Sequence, residues 1–150
     1  MELKLPPVVV FFVFGFFMYL LGTFLPFGFF DFFGRMLLSK ILMGMAVVII
    51  AVSFFQFYRS KTTVDPSNPS KATSLVTGGI YQFSRNPMYL AMLLILLAAG
   101  LKFGNAFNTL IAAGFVAYMN RFQIKPEEKA LLEKFGKEYK TYCSLVRRWF

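Results

Sequence analysis

Long runs without a single charged side chain decide what this sequence can fold into. From Leu5 to Phe30, and again from Ile41 to Tyr58, there is no Asp, Glu, Lys or Arg. A helix needs roughly 20 apolar residues to cross about 30 Å of hydrocarbon, and both runs meet that requirement. Two further uncharged runs, Asn86 to Leu101 and Phe103 to Asn120, are separated by Lys102, with Gly104 and Asn105 beside it as turn formers. They predict a tight helical hairpin. Its first arm, begun at Pro87, would be about 22 Å long at 1.5 Å per residue, which is short for a span unless the bilayer thins or the site sinks into the interface. The expected fold is therefore all-α: a polytopic membrane protein of about four transmembrane helices, the last two a tight hairpin, followed by a C-terminal amphipathic cytoplasmic helix. The length of 150 residues allows one integral-membrane domain, with two transmembrane helices in residues 1–60.

Charge sets the expected orientation. With both termini on one side, Lys4, Arg59, Lys61, Lys71, Arg85 and the eight basic residues of the tail fall together, against Arg35, Lys40 and Lys102 opposite. That asymmetry predicts cytoplasmic N- and C-termini, in the inner or plasma membrane if the source is bacterial. The N-terminal run is too long and too rich in Phe for a signal-peptide core and shows no small-residue cleavage site, so it is expected to remain as a mature helix. The net charge of +9 does not point to nucleic acid, because the basic residues flank spans and are interleaved with Glu127, Glu128, Glu133 and Glu138. Attraction to anionic lipid headgroups is the better reading. The single Cys143 excludes an intramolecular disulfide and a multi-cysteine zinc site, and with no His in the chain no metal site is expected. The sequence does not specify an oligomeric state, although Gly15, Gly22, Gly44 and Gly100 leave room for close helix contacts.

Between the hydrophobic runs the composition changes. Pro26 to Gly34 reads as a short external connection. Arg59 to Ser74, with Pro66 and Pro69, reads as a cytoplasmic surface loop. After Arg121 the tail places Leu131, Phe135, Tyr139, Tyr142 and Val146 at three- and four-residue intervals. This predicts an amphipathic helix bent near Gly136, lying on the membrane or against the core.

Polar residues near hydrocarbon are costly to keep, so function is sought where they concentrate. The first place is Gly79-Ile80-Tyr81-Gln82-Phe83-Ser84-Arg85-Asn86-Pro87-Met88-Tyr89, and the second is Glu127-Glu128 beyond the hairpin. Helix capping can account for Asn86 and Pro87, and the positive-inside pattern for Arg85. Pro126 before two glutamates likewise suits a helix N-terminus. Yet the hairpin returns the chain to the face where Arg85 lies, so Glu127 or Glu128 can meet Tyr81, Arg85 and Tyr89 over one pocket. Gly78 and Gly79 permit close approach of a ligand there. A cation, an anion and aromatic faces together suit S-adenosylmethionine, whose carboxylate, ammonium and sulfonium each find a complement. Methyl transfer from it is an in-line displacement that needs positioning and dryness rather than metal or histidine. The chain has no Gly-x-Gly-x-x-Gly fingerprint in a strand-helix setting, which argues against a soluble Rossmann methyltransferase.

At three blocks the sequence resembles the isoprenylcysteine carboxyl methyltransferase family of integral-membrane enzymes, related to the phospholipid methyltransferases. The blocks are Leu75 to Tyr81, Arg85-Asn86-Pro87-Met88-Tyr89, and Glu127-Glu128 followed by Leu131, Phe135-Gly136, Tyr139 and Tyr142. The resemblance covers about Thr62 to Phe150 and implies a methyltransferase-like catalytic region in residues 61–150. It further implies S-adenosylmethionine in a cytoplasm-facing pocket closed by the tail helix, and a lipophilic small-molecule or lipid acceptor entering from the bilayer. By motif, Gly79, Tyr81, Asn86, Pro87, Tyr89, Glu127 and Glu128 become the expected cofactor contacts. Arg85 is expected to orient the acceptor's anionic group, with Glu127 as the second catalytic residue. Many relatives have His where this chain has Asn86, which can hydrogen-bond but cannot titrate. The implied activity is S-adenosylmethionine-dependent methylation of a hydrophobic or lipid-like acceptor at the cytoplasmic membrane face, with carboxyl O-methylation among the options. An NADPH-dependent membrane reductase with a similar Arg-x-Pro-x-Tyr segment, and a non-catalytic membrane scaffold, are the alternatives.

Overall fold

In the computed structural model, which describes residues 5–60 and 74–150, each hydrophobic run is helical over most of its length. Helix α1 is Pro7–Phe24, α2 is Arg35–Ser60, α3 is Pro87–Phe103, α4 is Asn108–Met119 and α5 is Lys125–Leu145. A 3-10 turn, Gly79–Gln82, precedes α3, and a π-helical turn, Asn120–Ile124, joins α4 to α5. The loop expected between Arg59 and Ser74 lies, for residues 61–73, outside the described residues, as do Lys4, Lys61 and Lys71 of the charge pattern.

Two helices, Pro7–Phe24 and Arg35–Gln56, are long and apolar enough to cross a membrane, while Pro87–Phe103 is apolar but shorter. A core helix of a soluble protein would be mostly buried, whereas only 17% of each of these two windows is. Their outer faces carry exposed Phe12, Phe16, Phe17, Val47, Val48, Phe54 and Phe55. An apolar surface of that extent is stable against lipid rather than water.

Helix α3 is the hub, packing along α2 and against both α1 and α4. Small residues allow this closeness: Ala46 of α2 and Ala91 and Ala98 of α3 are fully buried, in keeping with helix packing in lipid, where backbone approach replaces a hydrophobic driving force. The Ser39 hydroxyl donates to the Ala98 carbonyl at 2.7 Å across the same seam. On the other side of α3, Val10, Met18, Leu96, Ala112, Phe115 and Met119 form the interhelical core. Gly22 lies so close to Phe103 that a β-carbon there would come within 2.8 Å of the Phe103 β-carbon.

The connections at one end of the bundle are tied to each other through backbone. Phe30 N–H donates to the Gly104 carbonyl at 2.9 Å and Ala106 N–H to the Gly28 carbonyl at 2.8 Å. Buried Asn105 bridges the same loops, donating to the Phe27 carbonyl and accepting from Phe107 N–H, both at 3.0 Å. Arg35 donates to the Leu101 carbonyl at the end of α3 and pairs with Asp31 at 2.8 Å. The tight turn expected at Lys102 to Asn105 forms here, with Gly104 left-handed at φ 65° as the C-cap of α3.

The junction after α4 corrects one expectation. Pro126 does not open a free helix, because Ile124 before α5 already has helical angles, φ −69° and ψ −49°. The chain instead widens by one residue per turn, and Lys125 N–H donates to the Asn120 carbonyl. A proline inside a helical path removes one hydrogen bond and crowds the carbonyl four residues back, and a π-turn relieves that crowding. Glu127 and Glu128 therefore sit within a continuous helical path, and no strong dipole at a free N-terminus accounts for them. The bend expected near Gly136 is present: its φ of 51° and ψ of −118° break the helix locally. Tyr139, Tyr142 and Val146 then pack on Tyr81, with Leu75, Val76, Ile80, Leu131 and Phe135 around them. The amphipathic tail lies against the core.

Candidate functional site

The opposite end of the bundle begins with the turn between α2 and α3. Gly79 has φ 58°, a left-handed conformation that strains other residues, and a β-carbon there would displace the Gln56 side-chain amide. The Gln56 amide oxygen accepts from Ile80 N–H at 3.3 Å. The turn delivers Tyr81 into the interior, where its carbonyl accepts from the Tyr142 hydroxyl at 2.6 Å. Burial pushes the Tyr81, Tyr139 and Tyr142 phenols well above their ordinary range, so all three stay neutral.

Beyond the turn, the Ser84 hydroxyl accepts from Asn86 N–H at 3.1 Å, and buried Pro87 opens α3. Asn86 stands at the N-cap position, but its side chain makes no capping bond. Its amide nitrogen donates instead to the Arg148 carbonyl at 2.9 Å, and Arg85 N–H donates to the Arg147 carbonyl at 3.0 Å. The C-terminal strand of chain after α5 is thus laced to the start of α3. Trp149 adds a bond from its indole N–H to Asn120 Oδ1 at 3.0 Å, on the π-turn.

The two glutamates, adjacent in sequence and about 100° apart around the helix, serve different partners. Glu127 Oε1 accepts from the Tyr89 hydroxyl and from Gln123 Nε2, both at 2.5 Å. Burial raises the Glu127 carboxyl to about 7; the hydrogen bonds from Tyr89 and Gln123 oppose the rise, and the nearby Glu128 charge adds to it. Glu128 is held by two arginines. Arg85 Nη2 lies 3.0 Å from its Oε1, and Arg148 grips it bidentately, Nε to Oε1 at 3.0 Å and Nη2 to Oε2 at 2.7 Å. The hydrogen bonding to Glu128 raises the Arg148 guanidinium further above its ordinary value. Such forked pairs are the strong kind of charge-assisted hydrogen bond.

Of the residues singled out from the sequence, Tyr89 and Glu127 meet directly, as do Arg85 and Glu128. Asn86 and Pro87 border them, and Tyr81 anchors the tail helix alongside. Gly79 stands apart, facing Gln56. Sequence reasoning missed Gln123 and the Arg147 to Trp149 segment. Gln123 was legible in principle, four residues before Glu127 and so on the same helical face. Nothing in the spacing of Arg148, 20 residues past Glu128, announces the pair.

Chemically, the site offers a buried guanidinium whose Nε has no partner among the described residues, a carboxylate fixed as an ion pair, a second carboxyl that titrates near neutrality, and neutral aromatic faces. That donor set fits a ligand carrying both an anion and a cation.

A family model described as phospholipid methyltransferase matches residues 34–138. A protein of Haemophilus influenzae strain Rd, described only as uncharacterized, is 50% identical over 62 residues, which is 41% of this chain and 98% of that protein. No solved structure matches the chain.

Proposed function

Because this chain belongs to the phospholipid methyltransferase family, we propose that it is an S-adenosylmethionine-dependent methyltransferase acting on a hydrophobic or lipid-like acceptor at the cytoplasmic face of the membrane. The observation that carries the reading is the half-buried pairing of Tyr89 with Glu127 beside the Arg85–Glu128–Arg148 cluster. The family assignment gives no support to a reductase or a scaffold.

When bound, the cofactor supplies an activated methyl group on a sulfonium. The residues that would hold it are Arg85, through its unpartnered Nε, for the carboxylate, and Glu127 for the ammonium. The faces of Tyr81 and Tyr89 suit the sulfonium by cation–π attraction. Glu128, clamped by two arginines, keeps Arg85 in place and compensates its charge. The strap from Arg147 to Trp149 is bonded across the start of α3, and any water it kept from the site would strengthen each of these interactions. The topology that goes with this reading has α1 to α4 crossing the membrane, the α3–α4 pair as a hairpin, and both termini in the cytoplasm. The excess of Lys and Arg at the site end supports it.

Calorimetric titration of the detergent-purified protein with S-adenosylhomocysteine, the demethylated product, tests the reading. One-to-one micromolar binding that disappears in Glu127→Gln is expected. Folded wild-type protein that shows no binding would overturn it.

A further inference from the structure

At the end of the bundle away from the glutamates, the start of α4 carries a polar side chain that the fold does not satisfy. Asn108 opens that helix and is 2% exposed. Asparagine near a helix start commonly serves as a cap, but the cap position here is Phe107. Asn108 bonds locally only through its backbone N–H, which donates to the Asn105 carbonyl at 3.1 Å. Neither the oxygen nor the nitrogen of its side-chain amide has a partner among the described residues. Asn105 is the contrast: equally buried, it uses both ends of its amide, on the Phe27 carbonyl and the Phe107 N–H. A buried amide without partners is costly, and between membrane helices an asparagine is expected to find one across the interface.

Asn108 stands instead in the wall of a cavity of about 170 Å3. Met18, Leu42, Leu96 and Leu101 line it from α1, α2 and α3, and Asn108 and Thr109 from α4. Gly100 makes room for the amide, since a β-carbon on it would come within 3.2 Å of the Asn108 β-carbon. The loops at this end are already cross-bonded, Phe30 to Gly104 and Ala106 to Gly28, so filling the cavity requires little ordering of the chain.

The lining narrows the occupant. No Asp, Glu, Lys or Arg contributes to it, so a cation or an anion would be buried without a counter-charge. Water could meet the amide, but walls of Leu and Met favour a hydrocarbon. We propose that this cavity binds a small neutral alcohol of about six to ten heavy atoms, a size set by the benzene that a comparable apolar cavity holds. Its hydroxyl donates to Asn108 Oδ1 and accepts from Nδ2, and its hydrocarbon part packs between Met18, Leu42 and Leu96. Leu96 follows Tyr89 by seven residues, about 10 Å along α3 at 1.5 Å per residue. The ligand is therefore a structural one, separate from the glutamate cluster, and the proposal does not rest on the methyltransferase reading.

Photolabelling in detergent tests it with two probes at equal mole fraction in the micelle: hexan-1-ol carrying a diazirine at carbon 3, and the same chain without the hydroxyl. In wild-type protein the alcohol should label residues 96–101 and 105–109 about tenfold more efficiently than the hydrocarbon, equivalent to 1.4 kcal/mol. Asn108→Leu replaces the amide by methyl groups of the same branching and should erase that preference. Leu42→Trp fills the cavity from α2 and should lower labelling by both probes. Saturating S-adenosylhomocysteine should change neither. Equal labelling of wild type by the two probes would overturn the proposal, as would a preference that persists in Asn108→Leu. If Asn108→Leu fails to fold, Leu42→Trp decides, and undiminished labelling of residues 96–101 in that variant would place the probe elsewhere. Loss of labelling to S-adenosylhomocysteine would also overturn it, by putting the probe in the cofactor site.

Discussion

The two ends of the helix bundle differ in what they do with acidic groups. At the end made by the α1–α2 and α3–α4 connections, buried Asn105 pairs with backbone of Phe27 and Phe107, Arg35 reaches the last carbonyls of α3, and the one acid there among the described residues, Asp31, is exposed where it pairs with Arg35. At the other end two adjacent glutamates are drawn into the fold, one against Tyr89 and Gln123 and the other between two arginines. An exposed ion pair costs little to keep, and a withdrawn carboxyl costs more. Burying a carboxyl such as Glu127 costs stability, since its folded value near 7 sits above the 4.5 of the free group. On the proposed reading that difference separates a scaffold end from a working end, and each substitution below tests that division.

The largest effect is expected at Glu127. Glu127→Gln keeps an oxygen to accept from Tyr89 and Gln123 but removes the charge, so S-adenosylhomocysteine affinity and turnover should fall about 100-fold, as for a lost charge-assisted bond of roughly 3 kcal/mol. Stability should move the other way. A carboxyl whose folded pKa is raised is favoured by the fold while protonated, so its contribution is intact below pH 4.5 and lost as pH rises through 7. The groups facing it, Tyr89, Gln123 and Glu128, bring no cation in direct contact to offset this. Thermal unfolding in detergent should show wild type losing roughly 3 kcal/mol relative to Glu127→Gln between pH 4.5 and pH 8. A variant less stable than wild type at pH 8 would make Glu127 a structural residue and erase the division.

Asn105→Ala should be the mirror image. It strips partners from the Phe27 carbonyl and the Phe107 N–H in a site where Asn105 is 1% exposed, at a cost of about 2–3 kcal/mol. Affinity for S-adenosylhomocysteine should stay within twofold of wild type once the protein is folded. Reduced affinity without reduced stability would mean that the two ends are coupled through α3.

How far this division could be read from the sequence depends on the range of the interaction. Uncharged runs fixed the helices, because hydropathy over a span is a local sum. The turn at Gly104 and the bend at Gly136 were legible from single glycines. The cluster of Arg85, Asn86, Tyr89 and Glu127-Glu128 was visible as polar residues out of place in an apolar chain, and the hairpin topology was enough to bring them to one face. What escaped was set by longer-range geometry. Pro126 reads as a helix start by any local rule, yet the π-turn carries α4 straight into α5. Arg148 reads as one more basic residue of a basic tail, and only the docking of α5 on Tyr81 returns it to Glu128. The motif gave Arg85 the acceptor's anion, and spacing could not show that one of the two glutamates, Glu128, would pair with it.

Arg148 provides the next test of the working end. Arg148→Gln breaks the forked pair but leaves Glu128 to Arg85, and Arg148 is about a third exposed, at 32%, so stability should fall by only about 1 kcal/mol. If the strap positions Arg85 through Glu128, S-adenosylhomocysteine should bind about tenfold more weakly, and Arg148→Lys, which keeps the charge without the fork, should recover only part of that. Full recovery by lysine would reduce the pair to bulk electrostatics.

The smallest effect is expected at Tyr142, and it addresses where the working end stops. Tyr142→Phe removes one hydrogen bond, hydroxyl to Tyr81 carbonyl, from a buried aromatic cluster. The ring and its packing remain, so the loss is one neutral hydrogen bond, about 1 kcal/mol. If the tyrosines only seat α5, that loss appears entirely in thermal unfolding and cofactor affinity is unchanged. If Tyr81 also presents its ring to the ligand, loosening its carbonyl lets the ring shift, and affinity should fall about two- to threefold while the unfolding change stays the same. The second outcome is expected, because Tyr81 is reached by α5 on one side and lies four residues before Arg85, which pairs with Glu128, on the other, which places it at the border between the helix seat and the glutamate cluster.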